Sequence, residues 1–504
     1  MCGIAATFGA GASVASLGRL VSERLSHRGP DGIGAGSTGR AVVAHSRLAI
    51  IDVVGGQQPM QSDDGRTLLV CNGEIYNHLK LRRLVPSSRR FRSQSDSEIV
   101  LRLFEESGDA CIRQLDGMFA FFVTDGERFV AARDPFGIKP LYMGEDLEGG
   151  LWFASELKAL ADRCPSIDTV LPGSYVTESR KVRPWFEPAW AGRVGSRRPA
   201  FPNELLGHLE QAVLKRLMSD VPLGVLLSGG LDSSLVAALA RRHLSRLKTF
   251  SVGVEGAPDL AAARHVATAL ASDHRELVYT LEDVTRRLPE VIYHLESYDA
   301  ALIRSAIPCY FVSAMASEEV KVVLTGEGAD ELFAGYGYMQ GIGDPNLLHR
   351  ECVRLLFGLH SMNLQRVDRM TMAHGLEGRV PFLDVAFVDW AMGLDPKLKL
   401  REPGVLEKRL LRQAAEQLLP KEIAERPKLE FSQGSASEGL LEQHAEACIS
   451  DRDLASAGRR FPIDSPRTKE ELLYRVIFDD LFPGEAMRRT VSRWHVPRPP
   501  AMVS

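Results

Sequence analysis

The stretch PLGVLLSGGLDSSLVAALARRH (222–243) restricts the fold more than any other. PLGVLLS is a continuous apolar run that reads as a buried strand. It stops at a glycine pair and passes directly into a helical pattern. The same alternation continues through KTFSVGV (248–254), HRELVY (274–279) and VKVVLTG (320–326), with helical stretches between them. Strands apolar on both faces and joined by helices predict a parallel α/β sheet. Ligands in such sheets bind beyond the carboxyl ends of the strands. LLSGGLDSS (226–234) and TGEGADELFAGY (325–336) both leave strands at that edge.

The chemistry of these two turns points to polyphosphate. Gly229 and Gly230 let backbone approach phosphate oxygens closely. The following helix start offers free N–H groups and a positive dipole end. Ser228, Ser233 and Ser234 add hydroxyl donors, whereas Asp232 is costly in an anion site unless a cation joins it. Mg²⁺ carried on phosphates supplies one, and Asp330 would complete its site. Glu327 stands where a carboxylate can orient or deprotonate an amine; a helix start rich in acids is the plain alternative. There is no Walker A motif, so a nucleotide must be held differently. The loop resembles the pyrophosphate-binding loop of ATP pyrophosphatases, which split ATP into AMP and pyrophosphate.

The first half reads differently. AVVAHSRLAIIDV (41–53), RTLLVCN (66–72), MFAFFVTD (118–125) and RFVAAR (128–133) read as strands. SDSEIVLRLFEESG (95–108) reads as a helix opened by a serine cap. Irregular mixing of strands and helices predicts an α+β domain. GAGSTG (34–39) matches GxGxxG, but it precedes a strand and no helix follows, so it reads as a turn. The aperiodic stretch PAWAGRVGSRRPAFP (188–202) marks the linker. The expected domains are 1–190 and 203–485, with a linker at 191–202 and a flexible tail at 486–504.

A net charge of −4 provides no field for nucleic acid or an anionic membrane. No secretory signal is read, and no run reaches the roughly 18 apolar residues of a membrane span. Seven scattered cysteines without a CxxC pair suggest neither a disulfide framework nor a zinc site, and fit a reducing, cytoplasmic setting.

One of those cysteines is Cys2. With Met1 removed, it carries a thiol nucleophile and, on the same residue, an α-amine that titrates near pH 8, roughly 7.7–8.0. The motifs LSHRGPDG (25–32), HSRLAIIDV (45–53), CNGEIYNH (71–78), SDSE (95–98) and RDPFGIKPLY (133–142) follow in order behind it. Together with the second half, to YRVIFDDLFP (474–483), they resemble the glutamine-dependent asparagine synthetases of the bacterial class B type. The resemblance implies an N-terminal-nucleophile glutaminase domain, an αββα sandwich, ahead of an ATP-pyrophosphatase domain with extra helices. It implies that Cys2 attacks the glutamine amide and that Asn72 and the Gly73 N–H form the oxyanion hole. Arg47 would take the glutamine α-carboxylate, and Glu74 and Asp96 its α-ammonium. Leu227 and Val252 would line the adenine pocket, Thr325 would also bind ATP, and Gly326 and Glu327 would form part of the acyl-adenylate site. Arg304 and Lys428 would neutralise phosphate or the tetrahedral intermediate, and LEGRVPFLD (376–384), with Glu377 and Asp384, would help build the wall.

The implied substrates are glutamine, ATP with Mg²⁺, and a carboxylic acid, aspartate first; no nucleic acid or membrane is expected, and a homodimer stays open. Ala301, Leu302 and Ala329 stand where the family usually has hydroxyl residues, and Thr325 replaces a serine. A different carboxylic acid is therefore an alternative acceptor. A third alternative is intramolecular amide formation of the β-lactam synthetase type, with Tyr336 and Glu377 as its base pair.

Overall fold

The structure, a computed structural model, describes residues 2–86, 90–192, 199–401 and 404–494. Twelve strands make two antiparallel sheets in the first part. They are β1 (Cys2–Phe8), β2 (Gly32–Thr38), β3 (Ala41–Arg47), β4 (Met60–Gln61), β5 (Leu68–Ile75), β6 (Gly117–Thr124), β7 (Phe129–Arg133), β8 (Tyr142–Glu145), β9 (Leu151–Ala154), β10 (Ser166–Thr169), β11 (Ser174–Val176) and β12 (Val182–Pro184). The orders are β10-β8-β9-β1-β3-β2 and β12-β11-β7-β6-β5-β4. Period-2 alternation places each side chain. Ile4, Ala6 and Phe8 face Val70, Phe122 and Phe129 between the sheets, while Ala5 turns outward onto Leu17 and Val21 of the helix Val14–Arg24. Residues Ile99, Val100 and Leu103 of the helix Glu98–Ser107 cover the outer face of the second sheet. The layers are helix, sheet, sheet, helix.

The second part holds five parallel strands in the order β15-β14-β13-β16-β17: β13 (Leu223–Leu226), β14 (Lys248–Gly253), β15 (Asp273–Val278), β16 (Val322–Leu324) and β17 (Glu377–Arg379). The strand order reverses at β13, so β13 and β16 lie side by side and their carboxyl ends open one crevice.

Several expectations need correction. GAGSTG lies largely in β2, not in a turn; the turn is confined to Gly39, at φ +50°. A Cβ on Gly34 would overlap the Gln58 carbonyl, so that glycine serves close packing. The serine at the cap of Glu98–Ser107 is Ser97, and its side chain makes no capping hydrogen bond. The helix Ala300–Ser317 does reach 18 residues with mean hydropathy 1.3, long and apolar enough to cross a membrane, but 67% of it is buried inside the protein. β17 was not foreseen as a strand. Residues 193–198 of the expected linker and 495–504 of the expected tail lie outside the described residues. Short helices occupy Ala189–Gly192 and Glu485–Arg488, at the start of each.

The two parts meet through buried charge. Arg28, fully buried, binds Glu156 at 2.7 Å and Asp368 at 2.8 and 3.1 Å. Arg369 binds Glu156 at 2.9 Å and Glu296 at 2.8 Å, and Lys158 pairs with both glutamates. Three cations thus face three carboxylates drawn from both parts. The two parts also share one apolar cluster, which holds Met118, Phe136 and Ile138 of the first part with Leu324, Val380 and Phe382 of the second.

Candidate active sites

Cys2 begins β1 directly opposite Arg47 of β3. Its backbone nitrogen donates to Asn72 Oδ1 on β5 at 3.0 Å, which stitches the two sheets together at that end. The bond fixes the Asn72 amide and leaves its Nδ2 buried with no partner. A buried N–H group without an acceptor is costly, and this one is free to donate to an incoming oxygen. The next residue, Gly73, sits at φ +148°, and a Cβ there would overlap the Met118 carbonyl. Only glycine lets β5 approach β6 so closely, and this exposes the Gly73 backbone beside Asn72. Arg28 Nε fixes the Cys2 carbonyl at 3.1 Å. Burial pushes the Cys2 thiol up, against the amino-terminal charge, the Leu48 N–H and Arg47.

Glu74, Asp96 and Glu377 gather behind this cysteine. Burial and the two neighbouring carboxylates push Glu74 well above the usual carboxylate range, against Arg379. Burial raises Asp96 to about 6 despite the Ile75 N–H it accepts at 2.6 Å. Glu377 goes the other way: against burial, the amino terminus, Arg379 and Lys139 hold it down at about 2. The cluster is therefore rich in carboxylate, with Glu377 ionised and Glu74 holding its proton, and suits an ammonium group. Arg379 stands 3.4 Å from Glu74 and 2.5 Å from Glu377. Glu377 thus belongs beside this pocket and not in the wall of the other site. Asp384 is not in that wall either: it caps the helix Val385–Met392 and binds Lys215 at 2.8 Å and Arg216 at 2.5 Å.

The second site is a cavity of about 250 Å³ at the carboxyl ends of β13, β14 and β16. Leu227, Ser228, Gly230, Asp232, Ser233, Val252, Thr325, Gly326, Glu327, Asp330 and Lys428 all line it. Gly229, at φ +71°, lies behind the wall, where a Cβ would strike the Ala262–Ala263 backbone. Ser234 is also behind the wall, with Oγ buried and without a partner. Ser228 Oγ meets Ser233 Oγ at 3.1 Å and accepts the Gly230 N–H at 3.2 Å, which fixes the loop at the helix start. Asp232 and Asp330 share Lys408 Nζ, at 2.6 and 2.5 Å, and Lys428 also pairs with Asp330. Burial opposes the charge on Lys408, but the two aspartates raise its pKa above the ordinary lysine value. Arg366 pairs with Glu327.

Arg304 is not in the lining. Glu470, Glu438 and Glu442 hold its guanidinium at 2.5, 2.8 and 3.0 Å. Tyr336 does line the cavity, but its hydroxyl donates to Glu331 at 2.5 Å, while Glu377 pairs with Arg379. The Tyr336–Glu377 base pair is therefore not formed. Lys408 and Arg379 escaped the sequence reading. Lys408 lies 176 residues beyond Asp232, in a left-handed turn at φ +57° before a helix, and no local pattern announces it.

A glutamine amidotransferase domain model matches residues 1–182 and an asparagine synthase model matches 204–343 and 340–498. The glutamine-hydrolysing asparagine synthetase of Triphysaria versicolor is 43% identical over 97% of this chain and 88% of its own length. Asparagine synthetase 2 of Arabidopsis thaliana is 44% identical over 97% and 89%, and the enzyme of Asparagus officinalis 42% over 97% and 87%. The chain belongs to the glutamine-hydrolysing asparagine synthetase family. This family membership accounts for two sites in one chain, one built around a thiol and one around a phosphate loop.

Proposed function

We propose that this protein hydrolyses glutamine at Cys2 and uses the ammonia, with ATP, to amidate aspartate to asparagine. The observation that carries the reading is the buried, unspent Asn72 amide beside Cys2, in a chain whose second site opens at a phosphate-type loop.

With Met1 removed, the Cys2 amine takes the thiol proton and the sulfur attacks the glutamine carboxamide. Asn72 Nδ2 and the Gly73 N–H receive the oxyanion. Ammonia leaves, and water hydrolyses the glutamyl thioester to glutamate. Arg47 takes the glutamine carboxylate, Asp96 accepts its ammonium, and Glu74 releases its retained proton to solvent to do the same. In the cavity the acceptor carboxylate attacks the α-phosphorus of ATP, giving an acyl-adenylate and pyrophosphate. Ammonia displaces AMP, and Glu327 accepts the proton released. Lys408 and Lys428 offset charge on the departing pyrophosphate. Asp232 has a buried Oδ1 without a partner and, with Asp330, presents hard oxygen donors, which suits Mg²⁺. These two residues would hold the ion, whose chemistry is to neutralise polyphosphate charge. The apolar cluster shared by the two parts supports passage of uncharged ammonia, since ammonium has no lone pair to attack with.

A specific observation keeps a second acceptor in view. Ala301 and Leu302 both line the cavity without a hydroxyl, although Ser305 of the same helix supplies one nearby, and this change of polarity favours testing a less polar acid. The test is incubation with glutamine, Mg-ATP and a panel of carboxylic acids, following pyrophosphate and amide. Release with aspartate alone supports the main reading, release with another acid transfers the chemistry to that acid, and release without any nitrogen donor supports intramolecular closure. Cys2→Ala should abolish glutamine-driven synthesis and keep synthesis driven by ammonium salts; loss of both in a folded variant refutes the scheme.

A further inference from the structure

Resting on the reading that Arg47 and Asp96 receive glutamine, we propose that Asp52 is the positioning residue that holds these two recognition groups in register, and that Asp220 of the synthetase domain anchors it. Arg47 is on β3 and Asp96 on the loop before the helix Glu98–Ser107, with no strand pairing between them. Asp52 bridges the two segments.

The backbone carbonyls of Asp52 and Val53 accept Arg47 Nη2 and Nη1 at 2.7 and 2.8 Å, which orients the guanidinium. The Asp52 carboxylate accepts the Gly55 N–H on Oδ1 at 2.9 Å and the Gln94 N–H on Oδ2 at 2.7 Å. Gln94 lies two residues before Asp96. One side chain therefore closes the loop behind Arg47 and ties it to the segment carrying Asp96. Asp52 does this at φ +50°, a conformation that aspartate tolerates better than most residues.

The anchor comes from the other domain. Asp220 Oδ2 accepts the Asp52 N–H at 2.7 Å, and the Asp220 N–H returns to the Ile50 carbonyl at 3.1 Å. Leu48 and Ile50 pack on Val322 and Met372 alongside. The turn bearing Asp220 is held in turn by Arg379, whose Nη1 donates to the Arg216 and Met218 carbonyls at 2.6 and 2.5 Å. Neither Asp52 nor Asp220 reaches a reacting atom, so the signature is a KM effect.

The test is steady-state glutamine hydrolysis and ammonia-driven synthesis with the full chain. With its charged acceptor lost, Asp52→Ala should raise the glutamine KM about tenfold while kcat stays within about twofold. Asp52→Gly, which relieves the backbone but supplies no acceptor, should behave like Asp52→Ala. Asp52→Asn, which keeps one acceptor, should recover part of the affinity. Asp220→Ala should raise the same KM and Asp220→Asn restore it. Ammonia-driven synthesis should be unchanged throughout. Wild-type KM in Asp52→Ala and Asp52→Gly overturns the proposal, as does a parallel loss of both half-reactions in all folded variants. A wild-type enzyme that hydrolyses no glutamine would instead overturn the reading on which it rests.

Discussion

Replacing Arg28 by methionine should loosen the junction between the two domains in a manner that depends on pH. Arg28 is fully buried and makes three charge-assisted hydrogen bonds to Glu156 and Asp368. Removing it leaves three buried carboxylates facing Arg369, Lys158 and the His27 ring. Breaking a buried pair by deleting one partner costs about 3–5 kcal/mol, because the charge left behind is uncompensated. The remaining cations still face Glu156, so the lower end, about 3 kcal/mol, is expected. Glu156 gives the sign of the pH effect. Against burial, which would raise it, Lys158, His27, Arg369 and Arg28 hold it well below the usual carboxylate range. Its stabilising contribution is present above the unfolded pKa near 4.3 and is lost as pH falls through the lower folded value. In Arg28→Met the neighbouring carboxylates rise and take up protons in the folded state. The deficit should therefore be largest near pH 7 and shrink as pH approaches about 4.5. Urea unfolding followed by tryptophan fluorescence at both pH values measures it. Arg28→Lys, which keeps charge but loses the fork, should fall between. A deficit under about 1 kcal/mol at pH 7, or one equal at the two pH values, would refute this account of the junction.

Lys408→Met should slow pyrophosphate release by at least about tenfold with glutamine hydrolysis intact, since a buried cation shared by Asp232 and Asp330 is lost from one site only; equal losses in both assays would contradict it. The kcat/KM for glutamine hydrolysis should fall about tenfold per pH unit below about 6, where Asp96 takes up its proton and can no longer accept an ammonium ion; a profile flat from pH 7 to 5 excludes that role. Arg304→Ala should leave kcat/KM for ATP within about twofold, because its guanidinium is spent on three glutamates away from the cavity; a much larger loss would restore the phosphate role that its geometry denies.

What could be read from the chain follows the range of each interaction. Apolar runs and glycines act over a few residues, and they announced β13, β14 and β16 and the turn at Gly229 directly. Cys2, Asn72 and Asp96 each sit in a short motif, so the segments that meet at this end of the sheets can be picked out from the sequence. Arg304 was misplaced because a lone arginine carries no local sign of its partners, here at positions 438, 442 and 470. Lys408 and Arg379 were missed for the same reason. GAGSTG misled differently: its glycines are spaced like a turn, but Gly34 answers to the Gln58 carbonyl from outside its own strand.

Arg379 shows why such residues matter. Its carbonyl accepts the Thr325 N–H at 2.9 Å, at the edge of the phosphate-loop cavity. Its guanidinium lies beside Glu74 and Glu377 behind Cys2 and also holds the turn that ends at Asp220. One buried residue therefore touches, through its backbone, a lining residue of the cavity and, through its side chain, the carboxylates behind Cys2. A sequence motif marks chemistry within a site, whereas the placement of one site on another falls to buried long-range pairs, and these are visible only once the sheets have formed.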